Sequence, residues 1–315
     1  MRYAIISDIH GNIDALSAIL ADSENFNIDK YIFVGDYCGY LPYPNETIET
    51  IRSIKNAIVI RGNEEDYLIE CAKQDQSTWT DGQFQAIYRL YKTLSDKSHA
   101  FIRALQKSAI FNDGNIQITA THKSADLFGN IEFKEFGANK VAQKYEKDST
   151  TRDIILHDIQ EFVRLNSDFH AAIRPLADGI YVFGHTHTQW HARHKNKIFI
   201  NPGSCGVPVD GAEGAPYTLL SIENNQAHIA ERRVKYDVGE LMRSMKNSDA
   251  YKAAPVWGEI VLQTIDARFE RTLSFLQYVE NHANKINDHV RPFSVETWTE
   301  AFKLWQENKP NHAKH

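Results

Sequence analysis

The chain carries histidine and acidic side chains at short spacings that suit metal binding. Seven residues able to bind a cation each follow a short apolar run: Asp8, His10, Asp36, Asn63, His122, His185 and His187. Residues two apart in an extended segment point the same way, so Asp8 and His10 can face one ion together, as can His185 and His187. This mixed set of oxygen and imidazole donors suits two divalent ions such as Mn, Fe, Zn, Co or Ni better than calcium, which takes oxygen ligands.

Cysteine does not contribute to this pattern. The sequence has 14 histidines but only 3 cysteines, and no two cysteines are spaced as CxxC. Cys38, Cys71 and Cys205 therefore favour neither a disulfide framework nor a thiolate zinc site. If the protein binds metal, imidazole and oxygen side chains must do it.

Alternating strands and helices are expected to position these ligands. Apolar runs at residues 3–7, 31–34 and 57–60 predict strands, and the apolar stripes at 12–22 and 48–54 predict helices, the second entered through Pro44. This alternation predicts an α/β fold with right-handed crossovers. Ligands placed just after the strands then lie at the carboxyl edge of the sheet, where open α/β sheets carry their sites.

The second half of the chain divides into two parts. Strands are expected at 108–111, 116–121, 181–183, 197–200, 217–222 and 227–232, whereas His191 and His194 lie in a polar segment predicted to be surface. Beyond residue 236 the pattern is helical, with one apolar stripe from 262 to 279 and another behind an N-cap at Ser294. We expect a catalytic domain at 1–236 and a helical extension at 237–315 packed on it, with dimerisation or a lid as alternatives.

The ordered motifs resemble those of the calcineurin-like metallophosphoesterases. That family's pattern of DxH, GD, GN, an isolated His and GHxH corresponds here to Asp8-Ile9-His10, Gly35-Asp36, Gly62-Asn63, His122 and Gly184-His185-Thr186-His187. The segment 201–204, Asn-Pro-Gly-Ser, also resembles small bacterial and archaeal members. The resemblance covers about residues 1–236.

The resemblance implies a four-layer α/β/β/α sandwich with two divalent metal ions per chain. One ion would take Asp8, His10, Asp36 and His187, and the other would take Asp36, Asn63, His122 and His185, with Asp36 as the bridge. Asp36, Asn63 and His122 would also position the attacking group and the substrate phosphate. The implied reaction is hydrolysis of a phosphoric ester by in-line attack of a metal-bridging hydroxide. Manganese is favoured, with iron, zinc, nickel and cobalt as alternatives.

Three departures from the family pattern bear on the substrate. Many members have a histidine after Gly-Asn that assists the leaving group, but in this chain the position is Glu64. Glu64 is expected either to begin a helix or to touch the substrate. Cys38-Gly39-Tyr40 stands where the serine/threonine protein phosphatases have a DRG-type segment. This difference disfavours a protein phosphatase. Lys123 stands where small members often have glycine. Asn12, Arg61, Glu64 and Lys123 are the candidate substrate contacts.

Charge and composition limit the partners. The formal charge of −6, from 35 basic and 41 acidic residues, disfavours extended nucleic acid or an anionic membrane as a partner. We expect a cytoplasmic phosphodiesterase acting on a small phosphate ester or nucleotide, without membrane association. Phosphomonoesterase, protein phosphatase, nuclease and an inactive binding scaffold are the alternatives, and the C-terminal helices are a possible surface for a homo-oligomer.

Overall fold

Two five-stranded mixed sheets form the centre of the molecule. The structure is a computed structural model and describes residues 1–128 and 151–307. The first sheet has the strand order β10-β9-β1-β2-β3 and the second β4-β5-β6-β8-β7. The strands are β1 (Arg2–Ile6), β2 (Lys30–Phe33), β3 (Ala57–Val59), β4 (Ser108–Asp113), β5 (Ile116–Thr121), β6 (Gly179–Val182), β7 (Gln189–His194), β8 (Lys197–Pro202), β9 (Ala215–Glu223) and β10 (Gln226–Val234).

Helices cover the outer faces of both sheets and form the end of the described chain. Those preceding β6 are α1 (Ile13–Ser23), α2 (Pro44–Ser53), α3 (Asn63–Cys71), α4 (Gln85–Thr93), α5 (Asp96–Ala104), α6 (Ala125–Phe128), α7 (Arg152–Leu165) and α8 (Ser167–Ile173). Those following β10 are α9 (Val238–Asn247), α10 (Asp249–Ala253), α11 (Pro255–Ala267), α12 (Thr272–Lys285) and α13 (Val295–Glu307).

Three buried apolar layers hold the sandwich together. One lies between the first sheet and its helices, one between the two sheets, and one between the second sheet and α7 and α8. Fully or almost fully buried members are Leu16 and Phe33 in the first layer, Ile5 and Val182 in the second, and Ile159 and Phe199 in the third. Burying such a side chain stabilises the fold by roughly 1.5–3 kcal/mol. The four-layer α/β/β/α sandwich expected from the motifs is thus confirmed.

Strand register brings the motif loops to one edge. Ile6 pairs with Phe33 and Phe33 pairs with Val59 in parallel ladders, so the loops after β1, β2 and β3 start side by side. In the second sheet Ala120 pairs with Val182, again in parallel, which aligns the loops after β5 and β6. The five segments predicted to carry ligands therefore converge at one end of the sandwich.

The described chain beyond β10 is helical and packs on the rest. Its helices form two apolar clusters, which also receive Tyr40 and Leu41 from the loop after β2. The apolar stripe at 262–279 is divided between α11 and α12, because Arg268 adopts a left-handed conformation that ends α11. Ser294 accepts from the Thr297 amide at the start of α13, as an N-cap does. Residues 308–315 of the expected extension lie outside the described residues.

One strand was missed by the sequence analysis. The segment expected to be a polar surface stretch is β7, and His191 and His194 lie on it. Trp190 and Ala192 are buried and share one face with His194, whereas His191 and Arg193 lie on the other face. Among the described residues, no helix is both long and apolar enough to cross a membrane.

Candidate metal centre

Five of the seven predicted ligand residues lie on tight turns that follow the strands. Asp8, His10, Asp36, His185 and His187 all have positive φ, between 52° and 68°. Residues other than glycine rarely adopt this left-handed conformation, and it costs about 1–3 kcal/mol each unless the surrounding structure imposes it. Such backbone strain concentrated in five polar residues is typical of a functional site.

Close backbone approach explains the glycine of the Gly-Asn motif. A Cβ atom at Gly62 would collide with the Asp36 carboxylate and would lie 2.7 Å from the Asp36 amide nitrogen. Any larger residue would therefore push Asp36 out of place. The glycine is required by the packing of two loops that both carry predicted ligands.

Two clusters of ligand atoms face one another at this edge. Asp8, His10 and His187 form one, and Asp36, His122 and His185 form the other, each with its ligand atoms within 4.8 Å of one another. The Nε2 atoms of His10 and His187 are 3.1 Å apart. The clusters adjoin, since His122 Nε2 lies 3.2 Å from Asp36 Oδ2 and 4.0 Å from Asp8 Oδ1.

Asn63 joins the second cluster. Its Oδ1 lies 3.1 Å from His122 Nε2, so the amide oxygen points toward the same space as the Asp36 carboxylate. The structure therefore brings all seven predicted ligand residues together.

Backbone carbonyl groups fix the tautomers of two histidines. His122 Nδ1 donates to the Val34 carbonyl at 2.7 Å, and His187 Nδ1 donates to the Val207 carbonyl at 2.9 Å. In the neutral ring, the proton on Nδ1 leaves a lone pair on Nε2. Each Nε2 then directs this lone pair at carboxylate oxygens, with His187 Nε2 3.3 Å from Asp8 Oδ1. Outer partners of this kind orient metal-bound histidines.

This arrangement of acceptors fits a cation. The Asp36 carboxylate and the Asn63 amide oxygen both lie within hydrogen-bonding distance of His122 Nε2. The Nδ1 atom of His10 is also buried without a partner among the described residues. Buried polar groups ordinarily find partners, so a set left facing one another is best satisfied by metal ions.

The electrostatics favour the neutral ring in two of the four histidines, His10 and His185, whereas the pKa values of His122 and His187 are raised. Burial and the neighbouring histidines lower the pKa of His10 to about 4 and that of His185 to about 3. Burial disfavours the charged form of His122 as well, but the nearby Asp36 carboxylate outweighs it and raises the pKa to about 10. His10 and His185 are thus neutral at pH 7, and His122 holds a proton that a bound cation would displace.

Glu65 is a supporting residue that the sequence analysis missed. It is fully buried, and its carboxylate accepts from the amides of Asp36, Tyr37 and Gly62, each at 2.8 Å. It therefore ties the Gly-Asp loop to the Gly-Asn loop. The available signal was its place at the third helical position after Gly62, where a glutamate often accepts from the N-cap amide.

The Asn-Pro-Gly-Ser segment holds two other ligand loops. Asn201 Nδ2 donates to the Gly184 carbonyl at 2.9 Å and to the Thr186 hydroxyl at 3.0 Å. Ser204 Oγ donates to the Asp8 carbonyl at 2.7 Å. The segment thus links the turn of Asp8 to the turn of His185 and His187.

Glu64 begins a helix, which is the first of the two alternatives, and its side chain also lies near the predicted ligands. It belongs to the first turn of α3, and its amide donates to Asp36 Oδ1 at 2.9 Å. Its side chain is 4% exposed and lies 3.5 Å from the Tyr40 hydroxyl. Burial, followed by the charges of Asp36 and Glu65, raises its pKa well above the usual value. The glutamate therefore lies beside the ligands rather than in solvent.

The other candidate substrate contacts differ in position. Asn12 is buried, caps α1 through the Ala15 amide, and donates to the Gly206 carbonyl and the Tyr236 hydroxyl. These hydrogen bonds occupy the side-chain amide of Asn12, so Asn12 supports the loop between β1 and α1.

Arg61 and Lys123 also have distinct surroundings. Arg61 forms an ion pair with Asp66 at 2.8 Å, which directs its side chain along α3. Lys123 is partly buried directly after His122, and its charge contributes to lowering the pKa of His185, after burial and His122. Of the two, Lys123 lies where it can meet a bound anion.

Comparisons with known proteins agree with this geometry. A family model for the calcineurin-like phosphoesterase superfamily domain matches residues 1–225. The uncharacterized protein MJ0912 of Methanocaldococcus jannaschii is 28% identical over 250 residues, covering 75% of this chain and 88% of that protein.

Two crystal structures share the fold. A metallophosphoesterase from Sphaerobacter thermophilus aligns with a TM-score of 0.58 and 21% identity, over 85% of this chain and 100% of that one. The hypothetical protein PH1004 from Pyrococcus horikoshii aligns with a TM-score of 0.61 and 19% identity, over 84% and 97%. These identities support the fold alone, and the family model carries the assignment.

Proposed function

The chain belongs to the calcineurin-like phosphoesterase superfamily, and from this premise we propose that it hydrolyses small phosphodiesters, including nucleotides, with two divalent metal ions. The observation that carries the proposal is the convergence of seven buried or half-buried ligand side chains at one sheet edge. Family membership alone supports a phosphoric-ester hydrolase. The number of ions and the diester preference are our proposal.

The ligand sets follow from the two clusters. Asp8, His10 and His187 would hold one ion, and Asn63, His122 and His185 the other. Asp36 lies between them and would contribute to both. The imidazole and oxygen donors fit Mn, Fe, Zn, Co or Ni, of which we propose manganese.

The metal ions would supply the chemistry that no side chain provides here. Two bound divalent ions lower the pKa of shared water and neutralise the charge that develops at phosphorus during an in-line displacement. The chain's residues keep the ligands in place through Glu65, Asn201 and Ser204. Lys123 would bind a substrate phosphate oxygen beside His185, because an ammonium can donate to it.

The leaving-group side of the site favours substrates that need little acid assistance. Glu64 occupies the position where many members of the family have a histidine. Burial raises its pKa in the metal-free chain, but two bound cations beside it would favour the ionised carboxylate. An ionised carboxylate cannot protonate a leaving group. We therefore propose esters whose alcohol departs readily, with a diester preferred over a monoester.

A substrate panel tests this function. The purified chain, loaded with Mn²⁺, is assayed with phosphomonoesters, linear phosphodiesters and cyclic nucleotides. We expect turnover of diesters, loss of turnover after chelation, and recovery when Mn²⁺ is restored. Turnover of monoesters alone would overturn the diester preference, and turnover by metal-free protein would overturn the metal mechanism.

Two histidine variants distinguish the loss of a metal ligand from the general effect of losing a histidine. His187→Ala removes a proposed ligand, whereas His157→Ala removes a histidine whose side chain is 70% exposed on α7. Metal content and diester turnover should fall in the first variant and stay unchanged in the second. Equal behaviour of the two would exclude His187 as a ligand.

A further inference from the structure

His10 lacks the hydrogen bond that orients two of the other ligand histidines. His122 and His187 each donate a ring N–H to a backbone carbonyl, whereas His10 Nδ1 is buried without a partner among the described residues. His10 Nε2 nevertheless faces the proposed centre, 3.1 Å from His187 Nε2. Since a histidine that holds a metal ion needs a fixed ring, packing must supply for His10 what a hydrogen bond supplies elsewhere.

The segment after β2 encloses the His10 ring. A Cβ atom at Gly39 would lie 2.7 Å from His10 Nδ1, so the imidazole packs directly on the Gly39 backbone. The Tyr40 ring stacks on the imidazole, with centroids 6.3 Å apart and the planes 22° from parallel. The Leu41 amide donates to the His10 carbonyl at 3.1 Å, which also fixes the segment to the His10 backbone. Tyr40 is thus the side chain of this segment that stacks on the ring.

The C-terminal helices hold Tyr40 in place. Trp257 of α11 stacks on Tyr40, with centroids 5.3 Å apart and the planes 13° from parallel. The Trp257 indole N–H donates to the Gln83 carbonyl at 2.6 Å, and the Trp257 ring packs on Trp298 of α13. Both tryptophans are buried. An aromatic stack therefore runs from α13 to the metal centre.

We propose that Tyr40 is a positioning residue for His10, and that α11 completes the metal centre by holding the Tyr40 ring through Trp257. The inference rests on the proposed function, because it concerns a ligand of the proposed centre. Stacked rings restrict one another, since turning either ring loses the contact. Tyr40 thereby does for His10 what a carbonyl acceptor does for His122. The helices beyond β10 then contribute to metal binding without supplying a ligand.

Four variants test this role through the affinity for Mn²⁺, measured by competition with a chelator. Tyr40→Leu keeps an apolar side chain but removes the planar ring, and Tyr40→Phe keeps the ring but removes the hydroxyl. Trp257→Leu removes the support from α11. Trp305→Leu is the matched control, because Trp305 lies in the same helical cluster but packs on Phe275 and Tyr278.

Tyr40→Leu should weaken binding at one of the two metal sites by about 10–100-fold, as when a ligand histidine loses its orienting partner. Trp257→Leu should weaken the same site by a smaller factor, whereas Tyr40→Phe and Trp305→Leu should match the unmodified protein. Unchanged affinity in folded Tyr40→Leu would overturn the proposal. An equal loss in Tyr40→Phe would assign the effect to the hydroxyl instead of the ring, which also overturns it. Equal affinities of Trp257→Leu and Trp305→Leu would exclude the role of α11.

A double variant shows whether Tyr40 acts through His10. His10→Ala removes the ligand itself, so adding Tyr40→Leu to it should cause no further loss of Mn²⁺ affinity. A further loss as large as that of Tyr40→Leu alone would contradict a role through His10.

The mobility of the His10 ring in metal-free protein gives a readout that does not depend on metal binding. NMR order parameters of the ring C–H bonds are measured in protein with carbon-13-labelled histidine. The His10 ring should be as ordered as that of His122 in the unmodified protein and more mobile in Tyr40→Leu. Equal order of the His10 ring in the two proteins would contradict the proposal.

The unmodified protein alone also decides the matter if Tyr40→Leu does not fold. An order parameter below about 0.6 for its His10 ring would show that Tyr40 does not hold the imidazole, and would overturn the proposal. If the unmodified protein binds no metal, the proposed function fails, whereas the order parameters still decide whether Tyr40 positions His10.

Discussion

Two buried groups of charged side chains lie in the sandwich, and they are satisfied in opposite ways. In the metal centre Asp8 and Asp36 face imidazole and amide groups that also present lone pairs. The second group, which we call the Asp210 clasp, consists of Arg152, His191, Asp210, Glu231 and Arg233. There Asp210 is fully buried, yet it is paired with Arg152 at 2.6 Å and with Arg233, and it accepts from the Gln189 amide.

The difference shows that burial of charge does not by itself indicate a functional site. Within the clasp each acid meets a base: Glu231 accepts from Arg152 at 2.5 Å and lies 2.7 Å from His191. The clasp joins β7 of the second sheet to β10 of the first, and Asp210 makes these contacts through Oδ2, while its Oδ1 is buried without a partner among the described residues. In the centre, two clusters of side chains that could each hold a metal ion adjoin, which favours a bound cation there rather than in the clasp, where acids are paired with bases.

The largest effect is expected from Asp36→Ala in the centre. Removing the shared ligand should lower diester turnover more than about 10⁴-fold, because transition-state charge would no longer be neutralised by both ions. Metal analysis should show fewer than two ions per chain. A variant that retained two ions or full turnover would show that Asp36 is not a shared metal ligand.

Asp210→Ala in the clasp is expected to lower stability without changing metal content. This variant leaves the half-buried Arg233 without its acid and leaves Arg152 with Glu231 alone, which should reduce the free energy of unfolding by about 3 kcal/mol. Denaturant titration measures the loss, and metal content per folded chain should stay unchanged. Asp178→Ala is the control, because Asp178 is 63% exposed in its ion pair with Lys197. Equal stability of the two variants would show that the clasp is not a stabilising cluster.

A smaller effect is expected from Glu65→Gln, next to the centre. The amide nitrogen of the glutamine is a donor, and it would face backbone amides that now donate to Glu65. This repulsion should loosen the loop that carries Asp36. Metal affinity should fall by about 10–100-fold, as for other residues that orient ligands. Competition with a chelator measures it. Glu70→Gln, exposed on the same helix, should match the unmodified protein, and an unchanged affinity in Glu65→Gln would exclude the supporting role.

The smallest effect is expected from Asp22→Asn, which weakens the ion pair between Asp22 and Arg232 outside the clasp. Hydrogen bonding to Arg232 lowers the pKa of Asp22 below its usual 3.8 despite partial burial. Its stabilisation, present above pH 3.8, is lost as the pH falls through the lowered value. The variant should lose under about 1 kcal/mol near neutral pH, with a difference that shrinks in acid and in salt. A loss as large as that of Asp210→Ala would contradict the comparison.

The sequence predicted the ligand geometry better than its supports. Short spacings and strand ends were enough to select the seven candidate ligand residues and an α/β fold, because register forces the loops after β1, β2 and β3 to meet, whereas the four-layer sandwich came from the family resemblance. The Asp210 clasp could not be predicted, since Arg152 and Arg233 are far apart in sequence and carry no motif. Strand β7 was missed because its polar face hides the alternation of Trp190 and Ala192.

The candidate substrate contacts show a similar limit. Asn12 and Arg61 adjoin motif residues in sequence, but hydrogen bonds within the fold direct their side chains elsewhere.

The position of bound metal tests the central claim most directly. Crystals of the full chain soaked in Mn²⁺ are measured at the manganese absorption edge. The account predicts two anomalous peaks about 3.5–4 Å apart, one contacting Asp8, His10 and His187, the other contacting Asn63, His122 and His185, with Asp36 between them and no peak at the clasp. A single peak, peaks away from these residues, or no peak in fully soaked crystals would contradict it.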